Sequence, residues 1–200
     1  MPNPLIKTLI QNISDLSTKL NTLIIKENKI ESIWLEHLNL GKSILEWTIR
    51  KYKLSFSGEP KVVKKNYIFY CELGYNIGSE QNGKRPVVIL QNDKGNSSSN
   101  TTIAAPITTH RGMTIVGKTT KGKTIVEYIN DDGTKSRKVL DYYEIPVEIE
   151  PGYKKEIIGY INLAHVRTIS KKRLDKSHVA IITKETNNKI AEGFKKLLSF

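Results

Sequence analysis

Between Leu5 and Ile25 the apolar residues fall at positions 6, 9, 10, 13, 16, 20, 23 and 24, the three-and-four spacing that lines one side of an α-helix. Pro4 suits the first turn, where its missing N–H costs nothing. A second helical pattern runs from about Glu27 to Tyr52, with Ile30, Ile33, Trp34, Leu38, Ile44, Leu45, Trp47 and Ile49 apolar and Gly41 as a kink or break. Two such helices joined by a short polar link predict an antiparallel hairpin. Its apolar stripes need a further surface, on the chain's own domain or on a second copy. Helical spacing ends in the stretch 55–60 (SFSGEP), and short runs rich in Val, Ile and Tyr follow. Strands are predicted at 66–73, 85–91, 101–107, 113–116, 124–129, 138–149 (divided near Pro146) and 157–169. Turn clusters such as Gly83-Lys84, Asp93-Lys94-Gly95-Asn96 and Asp131-Asp132-Gly133 separate them. Residues 184–198 return to helical spacing through Ile190, Phe194, Leu197 and Leu198 and predict a helix closing one side. The expectation is an α+β chain: helices over 1–58, then a small antiparallel barrel or sandwich over 59–200.

Composition narrows the function classes. With 38% hydrophobic and 26% charged residues, the chain is neither fibrous nor wholly disordered. Its formal charge of +12 makes an acidic partner, nucleic acid or an anionic surface, plausible. All but +2 of that charge lies beyond residue 60, so the acidic partner is expected to meet the C-terminal part. Cys71 is the one cysteine, which excludes an internal disulfide, and the histidines His37, His110, His165 and His178 are scattered. No metal or cofactor is expected. Lys7, Gln11 and Asp15 interrupt what would be a signal-peptide core, and no run nears the ~18 apolar residues that span a bilayer. A cytoplasmic chain without a membrane partner is expected.

Several local features are weak pointers. Leu40-Gly41-Lys42-Ser43 has the ending of a phosphate-binding loop, but Glu36 stands where the motif needs its first glycine. The run Lys171-Lys172-Arg173 reads as a solvated basic face, and the polar stretch 96–100 as a flexible loop. His110 and Arg111 follow a Thr-rich strand end, where a histidine has a pKa suited to proton transfer. More informative is the stretch 78–93, GSEQNGKRPVVILQND, a glycine-bounded polar loop feeding an apolar strand. Pro86 restricts Arg85 to extended backbone angles at the strand entrance. An arginine held there either presents its planar guanidinium to a phosphate or pairs with an acidic neighbour on the rim.

This stretch, followed by TTIAAPIT (101–108) and HVRTISKKRL (165–174), resembles the MazF/PemK family of toxin endoribonucleases from type II toxin–antitoxin systems. The resemblance runs from about residue 64 to the C-terminus and does not cover residues 1–58. It implies an SH3-like antiparallel β-barrel (MazF/PemK/CcdB-like), here preceded by the helical hairpin, acting as a homodimer with a cognate antitoxin. It further implies metal-independent, sequence-specific cleavage of single-stranded RNA through the RNA's own 2′-hydroxyl, with Arg85 and Thr108 as the catalytic pair. RNA contacts are expected from Ser79, Gln81, Lys84, Thr109, His110, Lys118, Lys121, Lys123 and His165. Three departures from the family pattern stand out. Lys65-Asn66 precedes the first strand in place of the usual Gly-Asp, His165 stands where Gln is usual, and about 111–140 reads as an inserted β-hairpin of net charge +4. The alternative reading is a non-catalytic nucleic-acid-binding or gyrase-inhibiting protein on the same fold. Retention of both Arg85 and Thr108 favours the enzyme.

Overall fold

A computed structural model of the chain describes residues 4–26, 30–153 and 157–199. The chain divides into two compact units, Met1–Lys53 and Leu54–Phe200. Within the second unit, Lys172 Nζ donates to the Ser55 carbonyl at 2.7 Å and Ser57 Oγ donates to the Lys172 carbonyl at 3.3 Å.

The first unit carries helices α1 (Pro4–Ile24) and, for most of its length, α2 (Glu31–Ser55). Residues 27–29 of the expected second helix lie outside the described ones. Gly41 does not break α2. It is buried, and a Cβ there would run into the side chain of Ile24 on α1, so the glycine serves close approach of the two helices.

The second unit is built on a curled antiparallel sheet. Its strands are β1 (Tyr67–Gly74), β2 (Gly83–Ile89), β3 (Thr101–Thr109), β7 (Glu144–Pro146), β8 (Gly159–Asn162), β9 (Arg167–Ser170) and β10 (Ala180–Ile181). They run in the order β10-β1-β2-β3-β8-β7, with β9 on the other end of β3. The predicted run 157–169 is therefore two strands, broken by a 3-10 turn at Leu163–His165 that the Asn162 side chain caps. Successive residues of β1 and β2 face opposite sides and both sides are buried. Ile68 and Val88 join Ala105, Ile107 and Ile161 in one core, while Phe69, Cys71, Val87 and Ile89 join Ala104 and Ile169 in the other. Helix α4 (Lys184–Leu198) closes the first core through Ile190, Phe194 and Leu197, as its spacing predicts.

Residues 111–139 form one strand more than the expected hairpin: β4 (Arg111–Lys118), β5 (Thr124–Ile129) and β6 (Lys135–Val139), in that order. Lys135–Val139 alternates exposed and half-buried positions, a period of two that its four polar residues conceal from an apolar-run search. Val126 of β5 packs with Leu140 and Tyr160, fastening this second sheet to β8.

Two polar segments are ordered against expectation. Residues 96–98 of the expected loop 96–100 belong instead to helix α3 (Asp93–Ser98), which Asn92 Oδ1 caps by accepting the Gly95 N–H at 2.8 Å. The basic run 171–173 is not a solvated face. Lys171 is buried and its ammonium donates to the carbonyls of Asn96 and Ser99 at the end of α3, while Arg173 donates to the carbonyls of Glu72 and Leu73. Asn66, the departure before β1, holds a left-handed φ of 71°, a conformation asparagine tolerates.

Candidate active site

The loop between β1 and β2 is shaped by its own polar side chains. Gly78 and Gly83 take left-handed φ angles of 62° and 77°, which turn the chain around. Asn76 donates its backbone N–H to Asn82 Oδ1 and its side-chain amide to the Gln81 carbonyl, each at 2.7 Å. Arg85 Nε donates to the Asn82 carbonyl at 2.7 Å. That bond fixes the guanidinium at the loop's end and, among the described residues, leaves its terminal nitrogens for an incoming acceptor.

Strands β2 and β3 last pair at Val87 and Pro106. Carrying that antiparallel register two residues further sets Arg85 level with Thr108, and the period of two puts both on the Phe69–Ile89 side of the sheet. Thr108 is half-buried and its Oγ1 accepts from Gln81 Nε2 at 3.3 Å. Having accepted, the hydroxyl retains its own hydrogen to give. Gln81 Oε1 is buried without a partner among the described residues. On the other side of β3, Thr109 pairs with Gly159, where a Cβ would collide with the Thr108 carbonyl.

A cavity of about 330 Å³ opens beside Gln81, lined also by Glu80, Leu73, Pro106, His165, Val166 and Arg167. Gln81 thus belongs at once to the cavity wall and to the Thr108 contact. The fold brings Gln81 to Thr108 and sets Gln81 and His165 on one cavity wall, with Ser79 exposed on the same loop and Thr109 exposed next to Thr108. Arg167 was not singled out in the sequence. It lies inside the block 165–174 at the start of β9, directly after the 3-10 turn that carries His165, and its place in that block is the signal that could have found it.

The remaining expected contacts lie elsewhere or are otherwise engaged. Lys84 forms an ion pair with Asp175 at 2.7 Å. Lys123 is tied to Asp141 at 2.8 Å, and with Lys121 it lines a second cleft, of about 360 Å³, against Lys189 and Lys196 of α4. Lys118 is exposed at the end of β4. His110 is half-buried in a ring stack, its centroid 3.9 Å from Tyr128 and 5.6 Å from Tyr160, with Nε2 buried and unpartnered. Burial, and then the nearby Lys138 ammonium, push its pKa down against a smaller opposing pull from Glu144. Lys138 is bound to the buried Glu144 at 2.6 Å and to the Tyr160 hydroxyl at 3.0 Å; burial opposes its charge, and these partners outweigh it and raise its pKa. His110 therefore sits at the joint between the two sheets, next to the Thr108–Thr109 strand end.

Cys71 is inert by environment, its thiol pushed up to about 12 chiefly by burial. Among the described residues no group of three or more His, Cys, Asp or Glu is gathered to hold a metal ion, and no helix is long and apolar enough to cross a membrane.

The chain is similar to several known proteins. The chain is 33% identical over 113 residues to Endoribonuclease MazF of Staphylococcus epidermidis, spanning 56% of this chain and 72% of that protein. It is 47% identical over 47 residues to Endoribonuclease EndoA of Bacillus subtilis (strain 168), spanning 24% of this chain and 40% of the relative. Among solved structures it is similar to MazF from Deinococcus radiodurans, at 15% identity and a TM-score of 0.48 over 70% of this chain and 98% of that one. A mycobacterial endoribonuclease in complex with its cognate antitoxin is similar at 19% identity and a TM-score of 0.46, over 70% and 97%. Residues 64–198, which hold the β1–β2 loop, Arg85, Thr108 and His165, match the PemK-like, MazF-like toxin family as one continuous domain, and the chain belongs to that family of type II toxin–antitoxin toxins.

Proposed function

We propose that the chain is a sequence-specific endoribonuclease that cuts single-stranded RNA without a metal, in the cytoplasm, as a homodimer under the control of a cognate antitoxin. What supports this reading is the Gln81 hydrogen bond to Thr108 from the same loop whose end holds Arg85, on neighbouring strands whose register, carried two residues past Val87 and Pro106, sets the two residues level. In the proposed reaction the RNA 2′-oxygen forms a bond to the adjacent phosphorus and the bond from phosphorus to the 5′-oxygen breaks. The 2′-hydroxyl loses a proton and the departing 5′-oxygen gains one, so the products are a 2′,3′-cyclic phosphate and a 5′-hydroxyl end, with no water consumed. The Arg85 guanidinium opposes the extra negative charge of the pentavalent phosphorus, and the Thr108 hydroxyl donates to one of its oxygens. Both groups act through charge and hydrogen bonding, which residues of this kind supply unaided. Gln81, His165 and Arg167 around the cavity are positioned for a base beside the cleaved bond, where edge hydrogen bonds select sequence.

A defined RNA incubated with purified protein in EDTA tests the reading. Cleavage at one short sequence with a cyclic-phosphate end is expected. Arg85→Ala and Thr108→Ala should each slow it by on the order of a hundredfold to a thousandfold, the loss typical of one charge-stabilising donor. Binding without cleavage in the wild type would move the chain to the non-catalytic reading, and near wild-type rates in either variant would dismiss the catalytic pair.

A further inference from the structure

Helix α1 carries an unbroken heptad seam that the described residues of its own unit leave largely exposed. Ile6, Leu9, Ile13, Leu16, Leu20 and Leu23 alternate in steps of three and four, so Ile, Ile and Leu occupy the a positions and Leu occupies all three d positions. Ile6 is 50% exposed, Leu9 51%, Ile13 67%, Leu16 67% and Leu23 65%, and only Leu20 is half-buried. The opposite side is polar, with Gln11 Nε2 donating to Asp15 Oδ1 at 2.8 Å along the exposed face. Leu5 and Ile10, 62% and 63% exposed, flank the seam.

We propose that this seam is the docking surface for α1 of a second copy of the chain, the two helices lying parallel in a short coiled coil. The seam chemistry selects that occupant. Isoleucine at a with leucine at d is the combination that favours two parallel strands. Two of the three flanking pairs match in character in the parallel arrangement, in which each g residue faces the e residue five positions on in its partner; the third sets Lys19 against Ile24. Leu5 then meets Ile10, apolar against apolar, and Asn12 meets Ser17, polar against polar. An antiparallel pair centred on the same seam would take Leu5 away from Ile10 and set Asn12 against Lys19 instead.

The area suffices. At roughly 100 Å² of apolar surface per large aliphatic side chain, and half to two-thirds of it exposed, the seven exposed residues offer roughly 350–470 Å² per copy. With polar atoms making up roughly a third of a homodimer interface, the pair would bury roughly 1,050–1,400 Å² in total, above the ~1,000 Å² that a specific interface needs. Exposed apolar patches of this size on a soluble chain mark an interaction site. The seam lies at residues 6–23, outside the 64–198 segment that carries the family match, so it is an interface that the toxin domain alone cannot supply.

The test uses the full-length protein with Ile13→Cys, an a position where paired helices bring α-carbons within disulfide reach, or Ser14→Cys, one residue round on the outer face. The native Cys71 is fully buried and does not compete. Under mild oxidation by glutathione, Ile13→Cys should yield a covalent dimer of twice the chain mass at least tenfold faster than Ser14→Cys. Adding Leu16→Asp, at an exposed position that the helix tolerates, should cut that rate at least tenfold with circular dichroism unchanged. Equal rates at 13 and 14, indifference to Leu16→Asp, or an Ile13→Cys thiol that links only to a co-expressed antitoxin would each overturn the proposal.

Discussion

Gly159 has no room for a side chain, because a methyl group there would meet the Thr108 carbonyl oxygen and lie 2.9 Å from the Thr109 Cα. The backbone that carries the threonine hydroxyl would have to shift to admit it. Gly159→Ala is therefore expected to slow RNA cleavage by about a hundredfold, the cost of a misplacement of about 1 Å at a reacting group. Single-turnover rates beside a thermal melt measure this, and a variant that loses stability but keeps its rate would refute it. His110 yields a pH dependence. Its pKa is lowered in the folded chain, so the unfolded chain binds more protons as pH falls and folding stability drops below about pH 6.5. His110→Phe, which keeps a ring between Tyr128 and Tyr160, should flatten the slope of the urea midpoint between about pH 7 and pH 5; an unchanged slope would show that other groups set it.

Among the elements, the β4–β6 sheet holds expected RNA contacts of unequal standing. Lys123 is committed to Asp141, which holds the lysine's pKa up through a hydrogen bond and lowers its own, whereas Lys118 and Lys121 are exposed around the β4–β5 turn. Replacing Lys118 and Lys121 by Gln is expected to reduce the log–log salt slope of RNA binding by about 1.4, two phosphate contacts at about 0.7 each for a single strand, without moving the cut site. Fluorescence anisotropy across a salt series reads the slope, and no change would remove this turn from the RNA path. Elements with a strong apolar period, such as α1, α4, β1 and β5, were legible in the chain. Those held by polar contacts were not. Helix α3 depends on Asn92 and on a lysine 75 residues away from Asn96, and no local pattern announces a partner at that separation.

For the whole molecule, the large side chains of the buried core among the described residues lie at residue 68 or beyond, so Leu54–Phe200 has its own core without α1 and α2. A chain lacking residues 1–53 should unfold cooperatively with a midpoint within about 4 °C of the full chain, the shift that about 1 kcal/mol produces in a domain of this size. Differential scanning calorimetry checks it, and a broad, non-cooperative transition would show that the helices complete the fold. What the sequence determined by itself was local and chemical. It included the helical spacing, the glycine-bounded loop before Arg85-Pro86, the excess of positive charge, and the three blocks in family order. Those features depend on residue type and short spacing, which survive without coordinates. The tertiary structure alone decided that Lys171 and Arg173 are spent on backbone carbonyls, that His110 stacks at the joint of two sheets, and that Gln81 reaches Thr108 from the β1–β2 loop. Each of those depends on which distant segments meet, and burial, hydrogen-bond partners and register exist only once the sheet has closed around them.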